Sequence, residues 1–222
     1  MTEYHKITTM FKRDPKNMRY VIEGEWATPE FEYLKDNKWI WTEKVDGTNI
    51  RVIWNGKSVI FNGKTDNAQL YMPLVQKLQG MFDTTSSRLK FREIFGDEET
   101  TQVCLYGEGY GAKIQKGGGN YKKDDVDFVL FDIKIGNWWI QRNDCEDIAV
   151  KLGIKIVPIV GEGSLLKAVQ LVKNGLESQW GNFEAEGLVC RPEIELRTRS
   201  GDRLITKIKS RDFNKITTSK GK

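Results

Sequence analysis

Apolar and polar residues alternate with a period of two through much of this chain, and turn dipeptides interrupt the alternation at short intervals. That pattern restricts the fold more than any other feature, because it describes half-buried strands joined in hairpins. Strands are expected over residues 39–45, 50–54 and 58–61, the last two joined by Asn55-Gly56, a strong hairpin signal. Further strands are expected over 103–107, 127–133, 138–140, 187–191, 194–198 and 203–208, with Ser200-Gly201 as another turn. Helical spacing appears between them. Leu74, Leu78 and Met81 mark one helix, and Cys145, Ile148, Ala149 and Leu152 form the i, i+3, i+4, i+7 stripe of a second. Ser164 suits the N-cap of a third, which carries Leu165, Val169 and Val172 and ends near Gly175. Hairpins with interspersed helices imply an α+β fold built on mostly antiparallel sheet.

A chain of 222 residues can bury a proper core, and 39% hydrophobic with 30% charged residues describes a soluble globular protein. No apolar run approaches a bilayer span, and the start, Met1-Thr2-Glu3-Tyr4-His5-Lys6, lacks the apolar segment of a signal peptide. Cys104, Cys145 and Cys190 are odd in number and widely spaced, which fits reduced core thiols in a cytosol. With His5 the only histidine, histidine metal sites and serine–histidine triads are excluded. The net charge of +4 is mild, but its distribution is uneven. Lys207, Lys209, Arg211, Lys215, Lys220 and Lys222 crowd the last residues against Asp212, and Lys113, Lys116, Lys122 and Lys123 surround Gly117-Gly118-Gly119. Such patches suit phosphate backbones, and each also reads as solvated surface.

Chemistry enters with Glu43-Lys44-Val45-Asp46-Gly47-Thr48-Asn49, between one expected strand and the next. A lysine amine attacks phosphorus only when uncharged and held in line with the leaving group. A tight glycine turn can hold it, and neighbouring cations favour the uncharged form. Five other segments place polar or aromatic residues near strand ends. Gly63-Lys64-Thr65 resembles the end of a P-loop, but Ser58 stands where that motif needs glycine. Tyr106-Gly107-Glu108-Gly109 ends a strand with a carboxylate, Phe131-Asp132-Ile133 lies in an apolar strand, and Glu186-Gly187-Leu188-Val189 opens another. Lys207-Ile208-Lys209 closes the last, with its two lysines on one face. Singly, Glu108 and Glu186 also read as surface carboxylates, Phe131 as core, and Lys207 and Lys209 as a solvated strand face.

In this order the segments at Lys44, Glu108, Phe131, Glu186 and Lys207-Ile208-Lys209 resemble motifs I, III, IIIa, IV and V of the covalent nucleotidyltransferases, the polynucleotide ligases and mRNA capping enzymes. Thr48-Asn49 after the glycine, with the spacing, looks most like the RNA ligase 2-like branch of ATP-dependent RNA ligases. The resemblance runs from about residue 40 to residue 213. It implies a ligase-type nucleotidyltransferase fold, with antiparallel sheets flanked by helices around a central nucleotide cleft. It also implies an enzyme that uses ATP with Mg2+ (or Mn2+). Lys44 would form lysyl-AMP, and Lys207 and Lys209 would contact the α-phosphate. Glu108 would accept from the ribose hydroxyls, Phe131 would stack on adenine, and Glu186 would place the metal ion. Glu43, Asn49 and Lys64 complete the expected nucleotide-binding set, Asn49 serving later steps near the RNA ends and Lys64 replacing a residue usually arginine.

The adenylate would pass to an RNA 5′-phosphate, and a 3′-hydroxyl would then seal the strand. Asp46 gives motif I the form general to ligases and capping enzymes. The stretch from Phe213 to Lys222 is too short for another domain. The expectation is therefore one nucleotidyltransferase domain over residues 1–222 without a C-terminal OB or helical domain, and a partner chain is the alternative source of substrate-binding surface. A minimal DNA ligase, a capping-type guanylyltransferase and a non-catalytic RNA-end binding module stay open as other readings.

Overall fold

A computed structural model describes residues 3–99 and 101–213. Lys215, Lys220 and Lys222 of the basic tail lie outside the described residues. In chain order the strands are β1 (Thr8–Thr9), β2 (Phe11–Asp14), β3 (Asn17–Trp26), β4 (Trp39–Glu43), β5 (Thr48–Trp54), β6 (Val59–Asn62), β7 (Val103–Gly111), β8 (Val126–Ile135), β9 (Trp138–Trp139), β10 (Lys155–Ile156), β11 (Ile159–Gly163), β12 (Gly187–Pro192) and β13 (Thr206–Lys209). The helices are α1 (Pro29–Tyr33), α2 (Met72–Phe82), α3 (Thr85–Phe95), α4 (Gly118–Tyr121), α5 (Arg142–Leu152) and α6 (Leu165–Lys173). Most strand pairs are antiparallel, with β1–β13 and β10–β8 parallel, so the expected α+β class holds. No helix among the described residues is long and apolar enough to cross a membrane.

The chain builds two compact units. The first comprises the described residues of Met1–His5 with Val45–Val157, and the second those of Lys6–Lys44 with Pro158–Lys222.

In the first unit a six-stranded sheet runs β10-β8-β7-β5-β6, with β9 on β8. Ile50, Val52 and Trp54 alternate along β5 and enter one core with Leu105, Phe128, Leu78, Phe91 and Ile148, drawn from β7, β8, α2, α3 and α5. The alternation turns Asn49 and Arg51 to the opposite face, where they pair across strands with Glu108 and Tyr106. In β8 the register against β7 slips between Tyr106 and Gly107, which leaves Phe131 as the extra residue. Phe128 and Leu130 face the core before this bulge and Ile133 after it. Phe131 and Asp132 are thereby both directed away from the core, as a bulge does when it re-aims a side chain.

In the second unit the sheet order is β1-β13-β12-β4-β11. Trp39 and Trp41 of β4, Leu188 and Cys190 of β12 and Ile208 of β13 pack on Leu165, Ala168, Val169 and Val172 of α6. Burial pushes the Cys190 thiol far up, and Cys104 in the first unit rises to about 12 for the same chief reason, so both are inert core residues.

Most of the expected elements form, with shifted ends. The strand expected at 194–198 does not form. Ile194 is 74% exposed, and this stretch keeps only an isolated bridge between Arg197 and Arg203. Its alternation is real, but among the described residues Ile194 and Leu196 join neither core cluster. The β2–β3 hairpin and α3 had no clear pattern for the opposite reason. The hairpin is largely exposed on both faces, and α3 buries only Phe91, so neither shows a stripe.

Candidate active site

Glu43 ends β4, and its neighbour Lys44 still donates its backbone N–H to Gly187 O on β12, at 2.9 Å. Gly187 in turn pairs with Lys209 on β13. Lys44, Gly187 and Lys209 thus lie in one row across three strands, and the central residue has no side chain. Its φ of +149° belongs to glycine, and a Cβ there would stand 2.8 Å from Lys209 Cα. Into this row comes the carboxylate of Glu186. Its Oε2 is 2.5 Å from Lys44 Nζ and its Oε1 2.6 Å from Lys209 Nζ. The Lys44, Lys209 and Glu186 side chains are 22%, 12% and 10% exposed.

Burial is the largest influence on Glu186 and pushes its carboxyl up. The Lys44 and Lys209 ammonium groups outweigh it and hold the group below its ordinary value. Lys207, two residues before Lys209 on β13, lies in the same positive field. Burial first, then Lys209, Lys44 and Arg13, lower its pKa from 10.5 to about 8. Three lysines against one carboxylate make a partly desolvated site with excess positive charge, suited to a polyphosphate.

Glu43 behaves differently. It shares the core face of β4 with Trp39 and Trp41, and its carboxylate accepts from Ser178 Oγ at 2.6 Å and Gln179 N at 2.7 Å. Burial raises its pKa against those bonds. Those two bonds anchor the 178–179 segment to the end of β4.

The other expected residues belong to the first unit. Gly47 lies against β7 so closely that a Cβ would stand 2.8 Å from Glu108 Cγ, which explains the glycine of the Lys-x-Asp-Gly turn. The Asp46 backbone N–H donates from the turn to the Tyr121 hydroxyl oxygen at 3.3 Å. Glu108 is the one residue of β7 that is not buried, and Asn49 is its cross-strand partner. Asn49 Oδ1 is buried without a hydrogen-bond partner among the described residues, an acceptor left open. Phe131 meets the Tyr4 ring edge-on at 5.0 Å, and the Tyr4 hydroxyl donates to Asp132 Oδ2 at 2.7 Å.

Lys64 is exposed on the loop after β6. Arg51 fixes that loop, donating from Nε to Gly63 O at 2.9 Å and from Nη2 to Asp66 at 2.7 Å. Sequence reasoning passed over Arg51, although a fully buried arginine inside the run Ile50-Arg51-Val52-Ile53 was its signal. In the Gly117-Gly118-Gly119 region Lys122 is spent on Asp125 at 2.8 Å and Asp127 at 3.3 Å, so that basic cluster is less positive than its composition.

A divalent metal would find one suitable protein ligand here, Glu186. No group of three or more His, Cys, Asp or Glu residues among those described could hold a metal alone. A single buried carboxylate does fit an ion of the Mg2+ type, which keeps waters and binds through one or two carboxylates plus phosphate oxygens.

Residues 37–209 match the model of the RNA ligase family, and the chain belongs to that family. Its fold is shared with solved structures of Naegleria gruberi RNA ligase. An apo variant aligns over 94% of this chain and 57% of its own, at 17% identity and a TM-score of 0.62. A variant with ATP and Mn aligns over 94% and 56%, at 18% identity and 0.63. A variant with AMP and Mn aligns over 91% and 60%, at 18% identity and 0.61. At these identities the likeness is one of fold, and this chain spans a little over half the length of the solved chains. No curated protein matches.

Proposed function

We propose that this chain is an ATP-dependent RNA ligase that works through a covalent lysyl-AMP intermediate. The observation that carries the reading is the row Lys44–Glu186–Lys209 laid across Gly187, with Lys207 beside it. A lysine at the end of a strand, backed by two more lysines and one carboxylate, has the composition that nucleotidyl transfer to an amine requires.

In the first step Lys44 Nζ releases its contact with Glu186 and attacks the α-phosphorus of ATP. A P–N bond forms, the bond to the β-phosphate oxygen breaks, the amine loses a proton and pyrophosphate leaves. Lys207 and Lys209 balance charge on the α-phosphate as the transition state develops. Glu108 takes the ribose hydroxyls and Phe131 the adenine. Glu186 would hold the Mg2+ or Mn2+ ion, which supplies charge neutralisation to the triphosphate. The Naegleria gruberi ligase structures with ATP and Mn and with AMP and Mn support this choice of nucleotide and metal. In the second step an RNA 5′-phosphate oxygen displaces Lys44 from phosphorus, giving a 5′-5′ adenylated end. In the third a 3′-hydroxyl attacks that end, AMP leaves and the phosphodiester closes. Asn49, with its open buried acceptor, serves these later steps. We assign the described chain to one nucleotidyltransferase domain, acting in the cytosol.

The test is label transfer from α-labelled ATP and GTP, followed by sealing of nicked RNA, DNA and hybrid duplexes. Labelling from ATP alone with sealing at RNA ends is expected. Labelling from GTP, equal sealing of all-DNA nicks, or no labelling would overturn the assignment.

A further inference from the structure

The second unit holds a groove of about 400 Å3 that Lys44, Lys207 and Lys209 do not line. Its walls come from two segments distant in sequence. Arg19 and Tyr20 belong to the β2–β3 hairpin, while Arg211 and Phe213 follow β13. Glu184 and Glu186 are its carboxylates, so the groove shares a wall with the row that engages Lys44.

One side chain fastens the two segments together. Arg13 grips Asp212 with both guanidinium nitrogens, at 2.7 and 2.9 Å, and donates to Arg19 O at 2.9 Å. Asp212 is buried, so this fork is well shielded. The same residue therefore sets the backbone of Arg19 and of the turn carrying Arg211. Both arginines are exposed; Arg211 makes one long ion pair, 4.0 Å to Glu186 Oε1, and the guanidinium carbon of Arg19 stands 5.6 Å from the Tyr20 ring centre. The result is a shelf of two cations and a half-buried aromatic leading from Glu186, held in place by Arg13.

We propose that this groove carries the RNA strand that bears the 5′-phosphate, with backbone phosphates on Arg19 and Arg211 and a base stacked on Tyr20. The inference rests on the RNA ligase reading and adds the surface that presents the AMP acceptor. Single-stranded RNA is recognised by basic grooves with aromatic or guanidinium planes on which unpaired bases stack. A nucleotide polyphosphate tail would use the arginines but gain nothing from the aromatic wall. Glu184, the carboxylate at which a phosphate would be unwelcome, suits a ribose hydroxyl. The β2–β3 hairpin lies before the family-matched residues 37–209, so this chain's own hairpin supplies half of the surface.

The test uses the intact chain, a fluorescent 5′-phosphorylated single-stranded RNA, and two variants, Arg19→Ala/Tyr20→Ala and the exposed charge reversal Arg19→Glu. Three quantities are read: RNA affinity by anisotropy, AMP uptake from ATP, and transfer of preloaded AMP to RNA. Both variants should weaken RNA binding and slow AMP transfer by about tenfold, the first by removing the stacking ring and one phosphate contact, the second by setting a carboxylate where a phosphate would sit. AMP uptake should stay within about twofold of the unmodified chain, consistent with side chains outside the Lys44 row. Unchanged RNA affinity in both variants refutes the groove. A loss of AMP uptake that matches the loss of transfer refutes it too, by assigning the arginines to ATP. If the unmodified chain takes up no AMP while the variants still lose RNA affinity, the ligase reading fails and the RNA groove stands.

Discussion

Replacing Lys207 with methionine should stabilise the ligand-free chain and weaken its hold on ATP. Methionine keeps the length of the aliphatic stem and removes the ammonium. The structure supplies the magnitude, because the Lys207 pKa falls from 10.5 to about 8, led by burial and then by Lys209, Lys44 and Arg13. That difference corresponds to at most about 3 kcal/mol against the charged form, and solvent around a partly exposed side chain reduces it to about 1–2 kcal/mol. The sign follows from linkage. Between pH 8 and 10.5 the unfolded chain binds more protons at this site than the folded one, so the folded state gains stability as pH rises through that window. Urea unfolding at pH 7 should therefore show Lys207→Met more stable by about 1–2 kcal/mol, with the gap closing toward pH 10. Binding should move the other way. With a non-cleavable ATP analogue, the unsubstituted chain should lose up to about tenfold in affinity from pH 7 to pH 9 as Lys207 discharges. Lys207→Met should bind weakly at both values, with little slope between them. A variant that is less stable, or one that keeps the pH 7–9 slope, would refute the account of Lys207 as a desolvated cation serving the phosphates.

Glu186→Gln leaves Lys44 and Lys209 without their shared anion and should cost about 2–4 kcal/mol at pH 7 by chemical denaturation, besides abolishing AMP uptake. Because the Glu186 carboxyl sits below its ordinary 4.5, its contribution is present above that pH and is lost on acidification, so the variant's melting temperature should fall less between pH 5 and 3. Gly187→Ala forces a side chain onto a φ of +149° and into β13, and circular dichroism melts should show a loss of about 2–3 kcal/mol with AMP uptake reduced in parallel. Arg51→Ala frees the loop that carries Lys64. Calorimetric titration should show severalfold weaker ATP binding, alongside about 1–3 kcal/mol of lost stability, while Arg51→Lys restores only part of either.

Strands with one face in a core were legible from the sequence, since burial on one side writes a period of two into the chain. Ile50, Val52 and Trp54 made β5 visible, and Leu74 and Leu78 did the same for α2. The β2–β3 hairpin escaped because its faces are both largely solvated, and the false strand at 194–198 shows alternation without a packing partner. The chemistry of Lys44, Glu186 and Lys209 could be suspected from residue type and order. That Glu186 would sit between the two lysines could not, because the contact depends on a register of three strands about Gly187. Glu43 shows the limit from the other side. Adjacency to Lys44 in sequence reverses into opposite faces of a strand, and its carboxylate serves Ser178 and Gln179. The Phe131 bulge was equally hidden, since one extra residue leaves no mark in composition.

The central claim is that the Lys44 amine becomes bonded to phosphorus. Intact and peptide mass spectrometry of the purified chain after incubation with ATP and Mg2+ tests it most directly. One added AMP is expected, carried by the peptide containing Lys44, labile to acid as a phosphoramidate is, and missing from Lys44→Ala. An unmodified chain, or AMP carried on any other residue while Lys44→Ala labels normally, would contradict it.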